Sequence, residues 1–300
     1  MIEQQVQIAQ QREGEPVKLP RRRRKLRTGR AGLGVYIFLA AVVLISFFPF
    51  YWSLLIGSGD ASTVRDPDRS WLPGGNFFAN IEAVVINPAV NFWRALMNSI
   101  IVSTVVSLSV VFFSTLAGYA FAKFRFRGRG PLLVFVVATI AVPTQLGIVP
   151  LFIAMSDLGW VGTLTAVIVP NLVTAFGVFW MTQYIGQVVP DEMIESARID
   201  GASTFQSFRL VVLPVLRPAA TMLGLFTFVM SWTDFFWPYI VLNGENPTLP
   251  VSLQLLQSNY FIDYSIVLAG ALLATIPLLL LFVVTGKQLV AGVMAGAVKG

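Results

Sequence analysis

Apolar residues gather into six runs, about 33–56, 97–121, 132–155, 163–185, 217–240 and 265–285. Each is close to the ~20 residues that a helix needs to cross a bilayer. Polar and charged residues collect between the runs, a pattern that predicts an all-α, polytopic membrane protein with six transmembrane helices. No internal repeat or low-complexity tract interrupts the series. Pro143, Pro150, Pro170, Pro238 and Pro277 fall inside the runs. There a proline either kinks a helix lining a pathway or shapes packing, and packing shape is the preferred reading.

Between the fourth and fifth runs the pattern changes to "DEMIESARIDGASTFQSFRLVVLP", residues 191–214, which reads as a helix, a turn and a second helix. Pro190 and Asp191 open the first helix, because an acid suits the free amide groups of a helix start. Met193, Ile194 and Ala197 share one face. Gly201 falls where a helix ends in left-handed backbone, which glycine adopts at least cost. Ser203 followed by Gln206 forms a capping-box pattern that starts a second helix carrying Phe205, Phe208 and Val212. Pro214 is expected to mark the turn into the fifth span. Such a segment either rests its apolar side on the membrane surface or presents it to another protein.

Composition agrees with the pattern: 56% hydrophobic residues and 12% charged ones lie outside the range of soluble domains. Histidine and cysteine are both absent. Their absence excludes thiolate and imidazole metal sites, Ser–His and Cys–His nucleophiles, and disulfides, so neither enzymatic chemistry nor a cofactor is expected. Gly286-Lys287 does not form a phosphate-binding loop, because Leu281 stands where the first glycine belongs and Gln288 where Ser or Thr belongs. Of the 15 acidic residues only Asp234 falls within a run, about five turns along the fifth, with no buried Lys or Arg to pair with it. A stand-alone ion-coupled carrier needs ionisable groups in number within its spans. The chain therefore reads as a passive pathway driven by another protein.

Charge sets the orientation. With the amino terminus inside, 18 of the 21 Lys and Arg residues lie on the inner side, leaving Arg65, Arg69 and Arg94 outside. That asymmetry places both termini and the 191–214 segment in the cytoplasm. The run "RRRRKLR" at 21–27 reads as a topology determinant in preference to a nucleic-acid or lipid patch, so no nucleic-acid partner is expected. A cleaved signal peptide fits poorly, because the following apolar run of ~24 residues exceeds a secretory core. Residues 1–20 are expected to be mobile.

Glu195-Ser196-Ala197, three residues, Gly201, nine residues, Val211, one residue and Leu213-Pro214 resemble the EAA loop of importer permeases of the ATP-binding cassette class. In that family the pattern is EAA, three residues, Gly, nine residues, Ile, one residue and Leu-Pro. The departures here are Ser196 for the first Ala and Val211 for Ile. The resemblance implies that Glu195, Ser196, Ala197, Gly201, Leu213 and Pro214 belong to a coupling helix docked on a cytoplasmic ATPase. "AGYAFAKFRFRGRG" (117–130), "SWTDFFWP" (231–238), "TLPVSLQ" (248–254) and "AGVMAGAVKG" (291–300) are similar to the MalG-type subunit of carbohydrate importers, over nearly the whole chain after residue 30. That resemblance implies a MetI-like permease fold of the inner membrane. Its implied partners are a MalF-type second permease, two cytoplasmic ATP-binding subunits, an extracytoplasmic sugar-binding protein and membrane lipid.

The corresponding domain plan is a basic cytoplasmic arm at 1–31, a six-span permease domain at 32–290 with its coupling loop at 186–216, and a cytoplasmic tail at 291–300. The tail, short and glycine-rich, is expected to owe any order to a partner. Three function classes compete: a sugar importer subunit, a permease of the same class for another solute, and an ion-coupled carrier. The first two share the EAA loop, whereas the third needs buried charges that the chain lacks. Trp232 and Asp234 are candidates for the substrate pathway, since an indole covers an apolar sugar face and a carboxylate accepts hydroxyl hydrogen bonds. The competing reading makes Trp232 an interfacial tryptophan and Asp234 a solvated or partner-holding acid.

Overall fold

The computed structural model describes residues 32–257 and 262–297, with side chains as far as Gly286. The basic arm 1–31 and residues 298–300 lie outside the described residues. Every regular element among the described residues is helical. The chain divides into two units between Phe48 and Pro49. In the first unit the described part is the opening of α1 (Leu33–Gly57), where residues 33–48 are exposed on every side. A helix that is apolar all round is stable only against lipid or another apolar partner.

The second unit continues through α2 (Phe77–Ile86), α3 (Phe92–Lys123), α4 (Arg129–Ile140), α5 (Ile148–Asp157), α6 (Leu164–Ile168) and α7 (Ala175–Val188). Then follow α8 (Asp191–Ile199), α9 (Thr204–Gln206), α10 (Leu213–Thr233), α11 (Phe236–Val241), α12 (Leu249–Leu255) and α13 (Tyr264–Ala297). Helix α3 is the axis of packing. Its buried stripe runs Ser99, Val102, Ser103, Val106, Ser107, Val110, Ser114, Gly118, the three-and-four spacing of one helix face. The small residues in that stripe let neighbouring backbones come close, as membrane helices require when lipid offers no hydrophobic drive. A Cβ on Gly118 would lie 2.7 Å from Met181 Cβ and 2.9 Å from the Thr182 nitrogen of α7. Val102, Val110, Met181, Ile185, Leu216 and Leu223 unite α3, α7 and α10 in one core, and Val84, Phe92, Trp232 and Leu249 belong to a second. The outward positions, Leu108, Phe112, Val134 and Phe135 among them, are apolar and exposed, as lipid contact demands.

Five helices among the described residues are long and apolar enough to cross a membrane, and a sixth span exists if α4 and α5 count together. The expected third span, 132–155, is not continuous: α4 and the helical segment Thr144–Asp157 meet at 92°. Pro143 stands at the break with extended backbone, ψ 124°. Its ring cannot continue a helix, so at this position proline breaks the span as well as shaping packing. The expected fifth span, 217–240, is displaced. Helix runs unbroken over Thr204–Thr233, and Asp234 then turns extended at ψ 120°. No turn occurs at Pro214. Lacking the N–H that would reach the Leu210 carbonyl, Pro214 follows a π-helical turn at Ser207–Val212, where the chain absorbs the lost bond without bending away. The α13 backbone continues to Ala297, so the 290/291 boundary falls inside a helix and the described part of the tail is ordered by that helix.

Candidate functional site

The segment 191–214 is a helix–turn–helix whose turn is capped on both sides. Helix α8 starts after Pro190, and Asp191 does not cap it. The Asp191 carboxylate instead pairs with Lys123 at the end of α3, with Nζ–Oδ1 at 2.6 Å. That hydrogen bond and charge hold the Asp191 carboxyl below the ordinary carboxylate range. Ser196, which replaces the first alanine of the EAA pattern, donates its hydroxyl to the Glu192 carbonyl at 2.8 Å. At the far end the Ala202 amide donates to the Ala197 carbonyl at 2.9 Å and the Gly201 amide to the Arg198 carbonyl at 3.0 Å. These two bonds form a Schellman motif, with Gly201 in left-handed backbone at φ +84°. The second helix opens on a capping box in which the Ser203 amide donates to Gln206 Oε1 at 2.8 Å and the Gln206 amide to Ser203 Oγ at 3.3 Å.

The inner side of this unit is bolted to the bundle. Ile194, Ala197, Phe208 and Val212 are buried, and Ile194 and Phe208 join the core of Ile185 and Val189. Tyr119 of α3 places its ring 5.3 Å from Phe208 and 5.0 Å from Phe124. Each large apolar side chain buried in this way contributes about 1.5–3 kcal/mol. Met193 and Phe205, grouped by the sequence with Ile194 and Ala197 and with Phe208 and Val212, part from them and point outward with 37% and 65% exposure, and Ile199 is 86% exposed. The helix turns about 100° per residue, so a buried stripe as narrow as Ile194 and Ala197 leaves Met193 at its border. Glu195 and Arg198 are exposed as well. Leu213 and Pro214 stand apart from the other EAA positions, exposed at the root of α10 beyond the π turn. Tyr119 and Lys123, absent from the sequence-level site, hold the loop, and nothing local in "AGYAFAK" marks them as doing so.

A cavity of about 630 Å³ lies where three spans are interrupted. Thr144 and Gln145 come from the break after Pro143, Asn171 closes the short 3-10 turn that contains Pro170 and Thr174 follows it, and Thr233 and Asp234 come from the end of α10. Phe176 and Phe226 add aromatic faces, their ring centroids 5.6 Å apart. Broken helices at membrane depth leave backbone and polar side chains free to meet a solute. Asp234 borders this cavity, half-buried. Trp232 does not. It is 3% exposed, stacks on Phe228 at 5.8 Å and donates its indole N–H to the Ala274 carbonyl at 3.2 Å. Two residues are about 200° apart on a helix, so one turns to the cavity and the other to the core. Gln145 and Asn171 were missed, although an amide beside a proline within an apolar run is a signal that a sequence can carry.

A polytopic helical bundle with a rigid, partly apolar loop at one end and a cavity among broken spans is the architecture of a transport permease. Residues 110–288 match the family described as "Binding-protein-dependent transport system inner membrane component", and the chain belongs to it. "Arabinooligosaccharides transport system permease protein AraQ" of Halalkalibacterium halodurans is 32% identical over 273 residues, spanning 88% of this chain and 95% of that protein. "Lactose transport system permease protein LacG" of Rhizobium radiobacter is 30% identical over 273 residues, with the same coverage of 88% and 95%. The fold is similar to a solved bacterial ABC transporter involved in import of the acidic polysaccharide alginate, with TM-score 0.71 at 23% identity, covering 87% of this chain and 99% of that one. The chain is thus a multi-pass inner-membrane permease subunit of an ABC importer, not an enzyme and not a stand-alone carrier. Its function requires an ATPase and a substrate-binding protein.

Proposed function

We propose that the chain forms half of the translocation pathway of a sugar or oligosaccharide importer and is driven through residues 191–214. The observation that carries this reading is the construction of the loop. Its inner face is fastened by Tyr119, Ile194, Phe208 and the Lys123–Asp191 pair, while Met193, Ile199 and Phe205 remain exposed. A rigid loop that keeps apolar side chains in the open suits docking into a groove on another protein. Glu195 adds a charge for a basic residue on that partner, an ATPase, of which two copies are expected. A MalF-type second permease supplies the other half of the pathway. The charge asymmetry along the chain supports a cytoplasmic loop and cytoplasmic termini.

The cavity supports a polyhydroxylated solute. Amides of Gln145 and Asn171, hydroxyls of Thr144, Thr174 and Thr233, and the Asp234 carboxylate exchange hydrogen bonds with sugar hydroxyls. Phe176 and Phe226 cover the apolar sugar faces. The sugars in the names of the AraQ and LacG relatives point the same way. An extracytoplasmic sugar-binding protein would deliver the solute. The test is uptake by the reconstituted complex of whatever solute its binding protein retains. Saturable, ATP-dependent uptake of a retained sugar is expected, and Glu195→Lys should abolish it. Retention of a non-sugar solute alone would overturn the sugar assignment and leave the coupling assignment standing.

A further inference from the structure

A second large groove runs along the other side of α10. Arg217, Thr221, Gly224 and Phe228 form its floor at helical spacing, Ser107, Leu108 and Val111 of α3 form one wall, and Leu281 and Thr285 of α13 form the other. It holds about 620 Å³. The solute cavity uses Phe226, Thr227, Met230, Ser231 and Thr233 of the same helix, so the two cavities share no lining residue. Polar chemistry in the groove is nearly all spent. Ser107 donates to the Thr104 carbonyl at 3.0 Å and Thr285 to the Leu281 carbonyl at 2.7 Å. Arg217 is exposed, and no carboxylate pairs with it among the described residues.

The position of that free cation narrows the occupant. Arg217 lies three residues past Pro214, at the loop end of α10, and Phe228 is eleven residues deeper. At ~1.5 Å per residue the floor extends about 16 Å, close to half of a ~30 Å hydrocarbon layer. One guanidinium at the interface and an apolar trough reaching mid-bilayer match a phosphate joined to an acyl chain. An apolar helix from another subunit would fill the trough but leave Arg217 unpaired. We propose that this groove binds an anionic phospholipid, its headgroup phosphate on Arg217 and an acyl chain along Leu108, Gly224 and Phe228. Bound there, the lipid touches α3, α10 and α13 together. The choice of leaflet rests on the topology proposed above, whereas the site itself does not.

Native mass spectrometry of the assembled, delipidated complex tests the site, with dioleoyl-phosphatidylglycerol or dioleoyl-phosphatidylcholine added back. The permease should retain phosphatidylglycerol in preference to phosphatidylcholine. Arg217→Gln should lower that retention about fivefold, the effect of removing one basic contact. Thr221→Trp, which fills the groove and keeps the charge, should lower it too, and Arg127→Gln in the exposed loop after α3 should leave it unchanged. Equal retention of the two lipids, or retention unaltered in both groove variants, overturns the proposal. So does a photoreactive residue at position 221 that cross-links to another subunit instead of lipid in mixed vesicles of the two. An inverted topology would appear in reporter fusions and leave this lipid readout unmoved.

Discussion

Gly201 and Glu195 lie in one loop and act on it by different physics. A Cβ at Gly201 would meet nothing within 4 Å, so a substitution there is felt only through the left-handed backbone, φ +84°. For Gly201→Val that strain is about 1–2 kcal/mol, and it re-aims the second helix. The variant should insert at wild-type levels, keep its ATPase and couple hydrolysis poorly to uptake. Glu195→Lys should insert equally well and lose the ATPase on purification. An exposed ion pair is worth about 0–1 kcal/mol, but repulsion at a partly desolvated contact costs several times that. Co-purified ATPase, hydrolysis and uptake check both, and normal uptake in both removes the coupling role. Trp232 and Asp234 separate in the same manner. Trp232→Ala empties a core position and should lower stability by about 3–5 kcal/mol, read as a fall in thermal midpoint. Asp234→Asn should keep the midpoint and reduce uptake, and unchanged uptake would remove Asp234 from the pathway.

Helix ends carry the next level of organisation. The Schellman motif and the capping box define where α8 stops and α9 starts, and the Lys123–Asp191 pair fastens α8 to α3. The folded Asp191 pKa is depressed, so its contribution to stability is complete above the unfolded-state value and fades as pH falls through the folded one. Acidification should therefore lower the thermal midpoint more steeply in wild type than in Asp191→Asn, the two curves converging in acid. Parallel curves would show that the pair does not stabilise the fold. The caps were legible because each is written within a few residues: Gly201 after a periodic stretch, Ser203 three before Gln206. The orientation of Asp191 was not, since its partner lies 68 positions away in sequence.

At the scale of the molecule, sidedness is the main prediction. Reporters fused after Lys123 or Arg198 should register the cytoplasm, and reporters after Pro73 or Asn246 the outside. An external signal after Arg198 would overturn the coupling assignment, because a loop on that side meets no ATP. The cavity belongs to this scale as well. It exists only because the interruptions at Pro143, at Pro170 and at Asp234 come to one place, each from a different span. No single interruption makes a site.

What the sequence determined by itself was whatever depends on near neighbours: helix as the sole regular structure among the described residues, the apolar runs long enough to cross a bilayer, the charge asymmetry, and the capping chemistry of 191–214. Those features follow from hydropathy and from backbone bonding within a few residues, so they survive without knowledge of the fold. Tertiary structure alone decided which face each helix shows. Trp232 went to the core and Asp234 to the cavity, Met193 and Phe205 turned outward, and Tyr119 and Lys123 became the fastening of the loop. The third span broke and the fifth ran on into the loop for the same reason. A proline fixes where a helical hydrogen bond is missing, but the packing around it settles whether the chain bends, widens into a π turn or stops.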